Sequence, residues 1–406
     1  TGESVGLYAE FDDTLEKAVA GQKPMDWGKY RFGKAVNEVN TDALLRYSDD
    51  MLNEAVEGLS CMDEENMREP EDAKISDYDS VTGSYSIIKE DEGTELQEDK
   101  VKEAVATAIM SLAESVDLEE QGCYLAPSVT SEDEALKTAC ETMNKYVGAK
   151  ITYKFGDKAE TLNGNEIHNW LTVNGTSVSV SESKAAEYVK NLASTCNTAY
   201  KPKTLKTSYG KTVTITTGNY GWKIDQEKET DGLMNAILSG QAKETAALVS
   251  LIKNGEQTSR EPEYSQKAAS HSGNDYGNTY VEINLTAQHL YFYANGKLLV
   301  ESDFVSGNAA KGWSTPAGAY SITYKQRNAT LKGQGYATPV SYWMPFNGGI
   351  GFHDATWRGS FGGQIFWNSG SHGCINLPYS AAQTIYQNIE KDYLVICFYR
   401  NGEYKY

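Results

Sequence analysis

The sequence contains no run approaching the roughly 18 apolar residues that a helix needs to cross a bilayer. Positive charge is scarce: 37 Lys and Arg stand against 56 Asp and Glu, a net charge of -19 at pH 7. That balance argues against bulk attraction to nucleic acid or to an anionic lipid surface. Histidine is rare, with five residues, and cysteine numbers six, so imidazole or thiol chemistry must come from very few positions. What is plentiful excludes a disordered chain: 40% of residues are hydrophobic and 27 are tyrosine, a globular composition. At 406 residues the chain is long for one domain and predicts about two to four.

The charge is unevenly placed. Residues 278–406 hold nine Lys/Arg against seven Asp/Glu, which leaves a net -21 on residues 1–277, so the two parts are expected to do different work. The chain opens at Thr1 rather than methionine, and a targeting segment or anchor removed ahead of it is expected. Cys61, Cys123, Cys140 and Cys196 lie in the acidic part. One or two disulfides there would suit an exported protein, with Cys123 and Cys140 the first candidate pair. Cys397 sits in the apolar stretch Tyr393 to Tyr399 and reads as a core thiol. Cys374 stands apart from all of these.

The acidic part alternates helical and strand patterns. Val101, Val105, Ala108, Ile109 and Leu112 form one stripe and predict a helix over 101–116. Ser181 opens a second helical stretch to Leu192, and Thr172 to Val180 alternates as a strand does. A Gly-x-Tyr pattern at Gly83 and again at Gly218 hints at two related modules. Residues 257–278 are rich in Gly, Ser, Gln and Asn and read as a linker. Beyond it come short strands, the Asn295-Gly296 hairpin signal and dense glycine, with one clear helix from Tyr379 to Glu390. The expected organisation is multidomain: an acidic α+β module at 1–125, a related α+β module at 126–256, the linker at 257–278, and a mainly β domain at 279–406.

The cluster that carries chemistry is Gly351-Phe-His353-Asp354 and, after sixteen residues, Ser371-His-Gly-Cys-Ile-Asn376. A free thiol with a pKa of about 8.5 is only a few per cent ionised at neutral pH, so a nucleophilic Cys374 needs a partner base, and histidine suits that role. Both His353 and His372 are candidates. His353, brought across from a neighbouring strand, is preferred as base, leaving His372 to shape the pocket or orient substrate. Gly373 permits close backbone approach, so the N–H groups of Gly373 and Cys374 are candidate oxyanion donors. Asp354 is a candidate to orient His353, through its carbonyl or its carboxylate. Tyr342, Trp343 and Trp357 supply rings for a substrate cleft. Two plainer accounts compete: a glycine-rich core that happens to hold His and Cys, and a three-ligand metal set, which lacks the fourth ligand a structural zinc wants. His168, His271 and His289 read as structural or incidental.

These residues resemble the signature of the YkuD-type L,D-transpeptidases, a histidine followed at this spacing by Ser/Thr-His-Gly-Cys-apolar-Asn. The stretch Ile283 to Lys297 is similar to that family's opening hairpin, and Ser314-Thr-Pro-Ala-Gly to its Thr-Pro-x-Gly turn. The part before the linker more loosely resembles peptidoglycan-binding modules. The resemblance implies a sandwich-like catalytic fold and no cofactor or metal. It implies attack by Cys374 on the bond between the third residue of a peptidoglycan tetrapeptide stem and the D-alanine that follows it, giving a thioester that an acceptor amine resolves to a 3-to-3 cross-link. Peptidoglycan stem peptides, as donor and acceptor, are the implied partners, and carbapenem-type inhibitors are expected to acylate Cys374. Ser371 and Asn376, within the motif, are carried as substrate-binding residues. Hydrolysis of wall peptides by the same cysteine, or an inactive wall-binding protein, are the alternatives. The expected location is extracellular or wall-facing, secreted or tethered by an anchor absent from this chain.

Overall fold

In a computed structural model of the chain, the residues described are 2–9, 13–26, 31, 45–175, 177–238, 258–271, 273–333 and 335–399. The chain divides into two compact units, one of residues 1–79 and 85–142, the other of residues 80–84 and 143–406. No helix among the described residues is long and apolar enough to cross a membrane.

In the first unit, the helices Asp49–Glu57 and Glu98–Met110 pack around Leu52, Val56, Leu96, Val101, Ala104 and Cys123. The second helix stops short of the predicted Val116, because Ser111 caps it and Leu112 turns to φ +55°. No disulfide is formed among the six cysteines. The pairing expected of Cys123 with Cys140 is therefore not formed: Cys123 is sealed in this core, and Cys140 turns its Sγ to the Tyr85 carbonyl, 3.8 Å away.

The second unit begins with α+β elements. The helix Glu182–Cys196 is capped by Ser181, whose Oγ accepts from the Lys184 N–H at 3.4 Å. Residues 172–180, expected as one strand, are instead a hairpin of Leu171–Asn174 with Ser177–Val180, folded at Gly175 with φ +60°. Residues 257–278, expected as a linker, carry two short strands. Thr258–Arg260 pairs in parallel with Ile151–Phe155, and Tyr264–Gln266 pairs with Lys223–Ile224. The polar residues that gave the stretch its linker texture make buried contacts: Arg260 Nη2 meets Glu229 Oε2 at 2.8 Å, and Asp275 meets Lys203 Nζ at 2.7 Å.

From Tyr280 the unit is a two-sheet sandwich with nine strands among the described residues. They are β1 Tyr280–Asn284, β2 His289–Ala294, β3 Lys297–Asp303, β4 Gly318–Ser321, β5 Gln326–Gly333, β6 Tyr336–Asn347, β7 Ile350–Asp354, β8 Ile375–Leu377 and β9 Leu394–Phe398. One sheet has the order β3-β2-β1-β9-β4 and the other β5-β6-β7-β8. Between them lies a core of Ile283, Phe292, Val395, Met344, Phe352 and Ile375, with Ala382 and Ile385 of the helix Tyr379–Asn388 against it. All five residues of β9 are buried. Val395 and Cys397 face that core, while Leu394 and Ile396 face Leu205, Tyr220 and Trp222 of the preceding module and Ala268 of the segment that follows it. A strand covered on both faces reads as an unbroken apolar run.

Candidate active site

β7 and β8 run parallel, with His353 opposite Asn376. Side chains alternate along a strand, so His353, Cys374 and Asn376 all project from one face of this pair. They open on a cleft of about 240 Å³, lined also by Trp357, Arg358 and His372.

His353 is 4% exposed. Its Nδ1 lies 2.9 Å from the Asp354 carbonyl oxygen, which fixes the neutral tautomer with the proton on Nδ1 and leaves Nε2 an acceptor. Of the two ways Asp354 was expected to orient the ring, the carbonyl is the one used. The carboxylate is occupied elsewhere: its Oδ1 accepts from the Ser341 and Tyr342 N–H groups at 2.8 and 2.9 Å. Burial pushes the imidazole pKa down, and the Asp354 carbonyl only partly opposes it.

The Asn376 amide satisfies its neighbours in one orientation. Its nitrogen donates to His353 Nε2 at 3.1 Å, and its oxygen accepts from Arg358 Nε at 2.8 Å and Nη2 at 3.2 Å. Asn376, expected to bind substrate, thus links the histidine to a guanidinium. Cys374 is half-buried beside them. Burial raises its thiol pKa, and a hydrogen bond from the Gly351 backbone opposes the rise.

The loop that carries Cys374 is held by hydroxyls. Ser371 Oγ donates to the Cys374 carbonyl at 2.5 Å and accepts from the Gly373 N–H at 3.0 Å. Thr315 Oγ1 donates to the Gly373 carbonyl at 2.7 Å. Gly373 sits at φ +119°, a conformation that side chains resist. Two expectations change accordingly. Ser371 spends its hydroxyl on bracing the loop, and the Gly373 N–H is committed to it rather than open to an oxyanion. The positive φ also breaks the extended run that was to put His372 and Cys374 on one face. His372 is exposed and stacks on Trp313, with ring centroids 4.3 Å apart.

The three expected cleft rings part ways. Trp357 is 52% exposed and stacks on His353 at 5.9 Å. Tyr342, one position out of phase along β6, points into the sandwich core, with Arg327 over its ring and Tyr379 against it. Trp343 is buried with Ala329 and Val340 in a cluster that Cys374 packs against, and donates from Nε1 to the Tyr324 hydroxyl at 3.2 Å; it touches the site from within the sheet and is not among the residues lining the cleft. Sequence reasoning passed over Arg358, Trp313 and Thr315. For Arg358 the signal was its place directly after Trp357; for Thr315, its place in the Thr-Pro-x-Gly turn.

This site lies within the span that comparison with known proteins picks out. The YkuD family model, described as an L,D-transpeptidase catalytic domain, matches residues 278–397, and a putative peptidoglycan binding domain matches residues 129–246. Among solved structures, a cysteine-to-serine mutant of Enterococcus faecium L,D-transpeptidase is 32% identical over 64% of this chain and 98% of its own, with a TM-score of 0.49. The Ldtfm-avibactam carbamoyl enzyme is 32% identical over 65% of this chain and 98% of its own, with a TM-score of 0.50. The chain belongs to the L,D-transpeptidase family. The catalytic domain of the E. faecium enzyme acylated by ertapenem is 40% identical over 30% of this L,D-transpeptidase and 98% of its own chain, with a TM-score of 0.28. No curated protein matches it. The catalytic domain and the peptidoglycan-binding domain together make this a cell-wall-acting enzyme.

Proposed function

We propose that this L,D-transpeptidase uses Cys374 as nucleophile and His353 as base on peptidoglycan tetrapeptide stems. The thiol proton passes to His353 Nε2 as sulfur attacks the carbonyl carbon of the third stem residue. The amide C–N bond then breaks, His353 returns the proton to the leaving amine, and D-alanine departs, leaving a thioester. An acceptor amine attacks the thioester carbonyl, loses a proton to His353 and expels the sulfur, which makes the 3-to-3 cross-link. The Cys374 N–H, which meets no acceptor among the described residues, is the donor assigned to the oxyanion.

The observation that carries this reading is the shared face of the β7–β8 pair, where the half-buried thiol and an acceptor Nε2 open on one cleft. Asn376 donates to that same Nε2, and its amide is assigned to give up the lone pair when the thiol proton arrives. His372 and Trp357 are assigned to the cleft walls. The matched spans support a binding module at 126–256 and a catalytic domain at 279–406. The acidic module at 1–125 and the segment 257–278 complete the division. Acylation of Cys374 by carbapenems follows from the same chemistry, supported by the avibactam carbamoyl form of a relative 32% identical. A substrate outside the membrane implies that the enzyme is secreted or tethered.

Intact mass after incubation with a disaccharide-tetrapeptide, and separately with a carbapenem, tests the proposal. Wild type is expected to form a joined dimer and a stable carbapenem adduct, and Cys374→Ala neither. A clipped tripeptide without dimer would assign hydrolysis instead, and adducts on the alanine variant would overturn the choice of nucleophile.

A further inference from the structure

The cleft holds a positive charge that the reaction as written does not use. Arg358 lines it with Cys374 and His353, and the Asn376 oxygen fixes the guanidinium through Nε and Nη2. No carboxylate among the described residues offsets it, and partial burial pushes its pKa down. A guanidinium taken partly out of water and left without a counter-charge gains from an anion that enters the same space, and its planar fork matches a carboxylate.

The order of groups says which anion. Cys374 attacks the carbonyl carbon, and His353 must reach the nitrogen that leaves. Asn376 bridges His353 to Arg358, so the guanidinium lies beyond the leaving nitrogen. In a tetrapeptide stem the group one carbon past that nitrogen is the terminal carboxylate of the fourth residue. We propose that Arg358 binds this free α-carboxylate and so restricts donors to stems that end at the residue being released. A fifth residue would turn the carboxylate into an amide, leaving the guanidinium without its anion. The assignment rests on the function proposed above and adds to it a specificity-determining residue.

The test compares two donors that differ at one group: a disaccharide-tetrapeptide ending in D-alanine, and the same stem ending in D-alaninamide. In wild type the free acid is expected to react with a kcat/KM about 10- to 100-fold above the amide, the range for one charge-assisted contact. Arg358→Gln is expected to bring that ratio close to one by slowing the acid far more than the amide, and Arg358→Lys to keep part of it. Alkylation of Cys374 by iodoacetamide, which carries no carboxylate, reads any change in the thiol and imidazole themselves, and is expected to change less than the kcat/KM of the acid in both variants. Equal use of both donors by wild type, or a parallel loss of both in Arg358→Gln, would overturn the assignment while leaving the transpeptidase reaction standing. Failure of wild type to turn over either donor would instead remove the reaction, and the assignment with it. The wild-type comparison needs no variant, so a poorly folded Arg358→Gln protein does not remove the test.

Discussion

The Nδ1 of His353 sits 2.9 Å from the carbonyl oxygen of its own chain neighbour, Asp354. The tautomer that a nucleophile's base needs is therefore set by one peptide group, and the Asp354 carboxylate is free to serve structure. It does so by accepting from the Ser341 and Tyr342 N–H groups. Asp354→Asn keeps one acceptor oxygen and removes the charge. The expected result is a loss of about 1–2 kcal/mol of stability, read by urea denaturation, because hydrogen bonds to charged groups are the stronger ones. The carboxylate's charge also helps raise the His353 pKa, so the imidazole limb of the pH profile of acylation should move only slightly, toward lower pH. A large shift in that profile would return the carboxylate to the catalytic role.

Burial raises the Cys374 pKa and lowers that of His353, so both shifts favour the neutral pair, thiol with imidazole, over thiolate with imidazolium. For a small uncharged electrophile the thiolate fraction sets the rate. Alkylation of Cys374 by iodoacetamide is expected to rise with pH and reach half its maximum above the ordinary thiol value of about 8.5. A plateau already complete at neutral pH would mean a resting ion pair. The comparison needs peptide-level mass spectrometry, since the chain has five other cysteines.

Gly373→Ala places a Cβ at φ +119° and 3.1 Å from Ile350 Cδ1. Strain at such a position costs about 1–3 kcal/mol, and here the cheapest relief is to move the loop that Ser371 and Thr315 hold. Acylation is expected to fall by more than tenfold, with a smaller fall in thermal midpoint. An alanine variant as reactive as wild type would show that the left-handed turn is not needed to aim the sulfur.

Part of this site was legible in the sequence, although spacing left His353 and His372 both open as base and only a preference favoured His353. The His353 and Cys374 positions and the hairpin at Asn295-Gly296 follow from short-range patterns that local chemistry fixes. Phase along β6 was not legible. Tyr342 and Trp343 are neighbours of similar character, and only the pairing of Trp343 with His353 decides which ring faces the core. Ser371 and Asn376 were placed near substrate because they belong to the motif around Cys374. Their hydrogen bonds to Gly373 and Arg358 depend on a turn and on a side chain 18 residues away that no periodicity reports. The segment 257–278 looked like a linker because its polar residues have partners far off in the chain, Arg260 with Glu229 and Asp275 with Lys203.

That misleading texture has a mechanical consequence. Tyr220 is 1% exposed; it packs in the cluster with Leu394 and Ile396 of β9, and its hydroxyl donates to the Asp275 carbonyl at 3.0 Å. Module and catalytic sandwich thus share a core rather than a tether. Tyr220→Ala removes a large buried ring, a change that costs about 3–5 kcal/mol. If the core is shared, hydrogen exchange should quicken at Leu394–Phe398 in the catalytic sheet as well as around residue 220, and the unit should still melt in one step. Two separate melting steps, with β9 as protected as in wild type, would mean that the two parts fold independently.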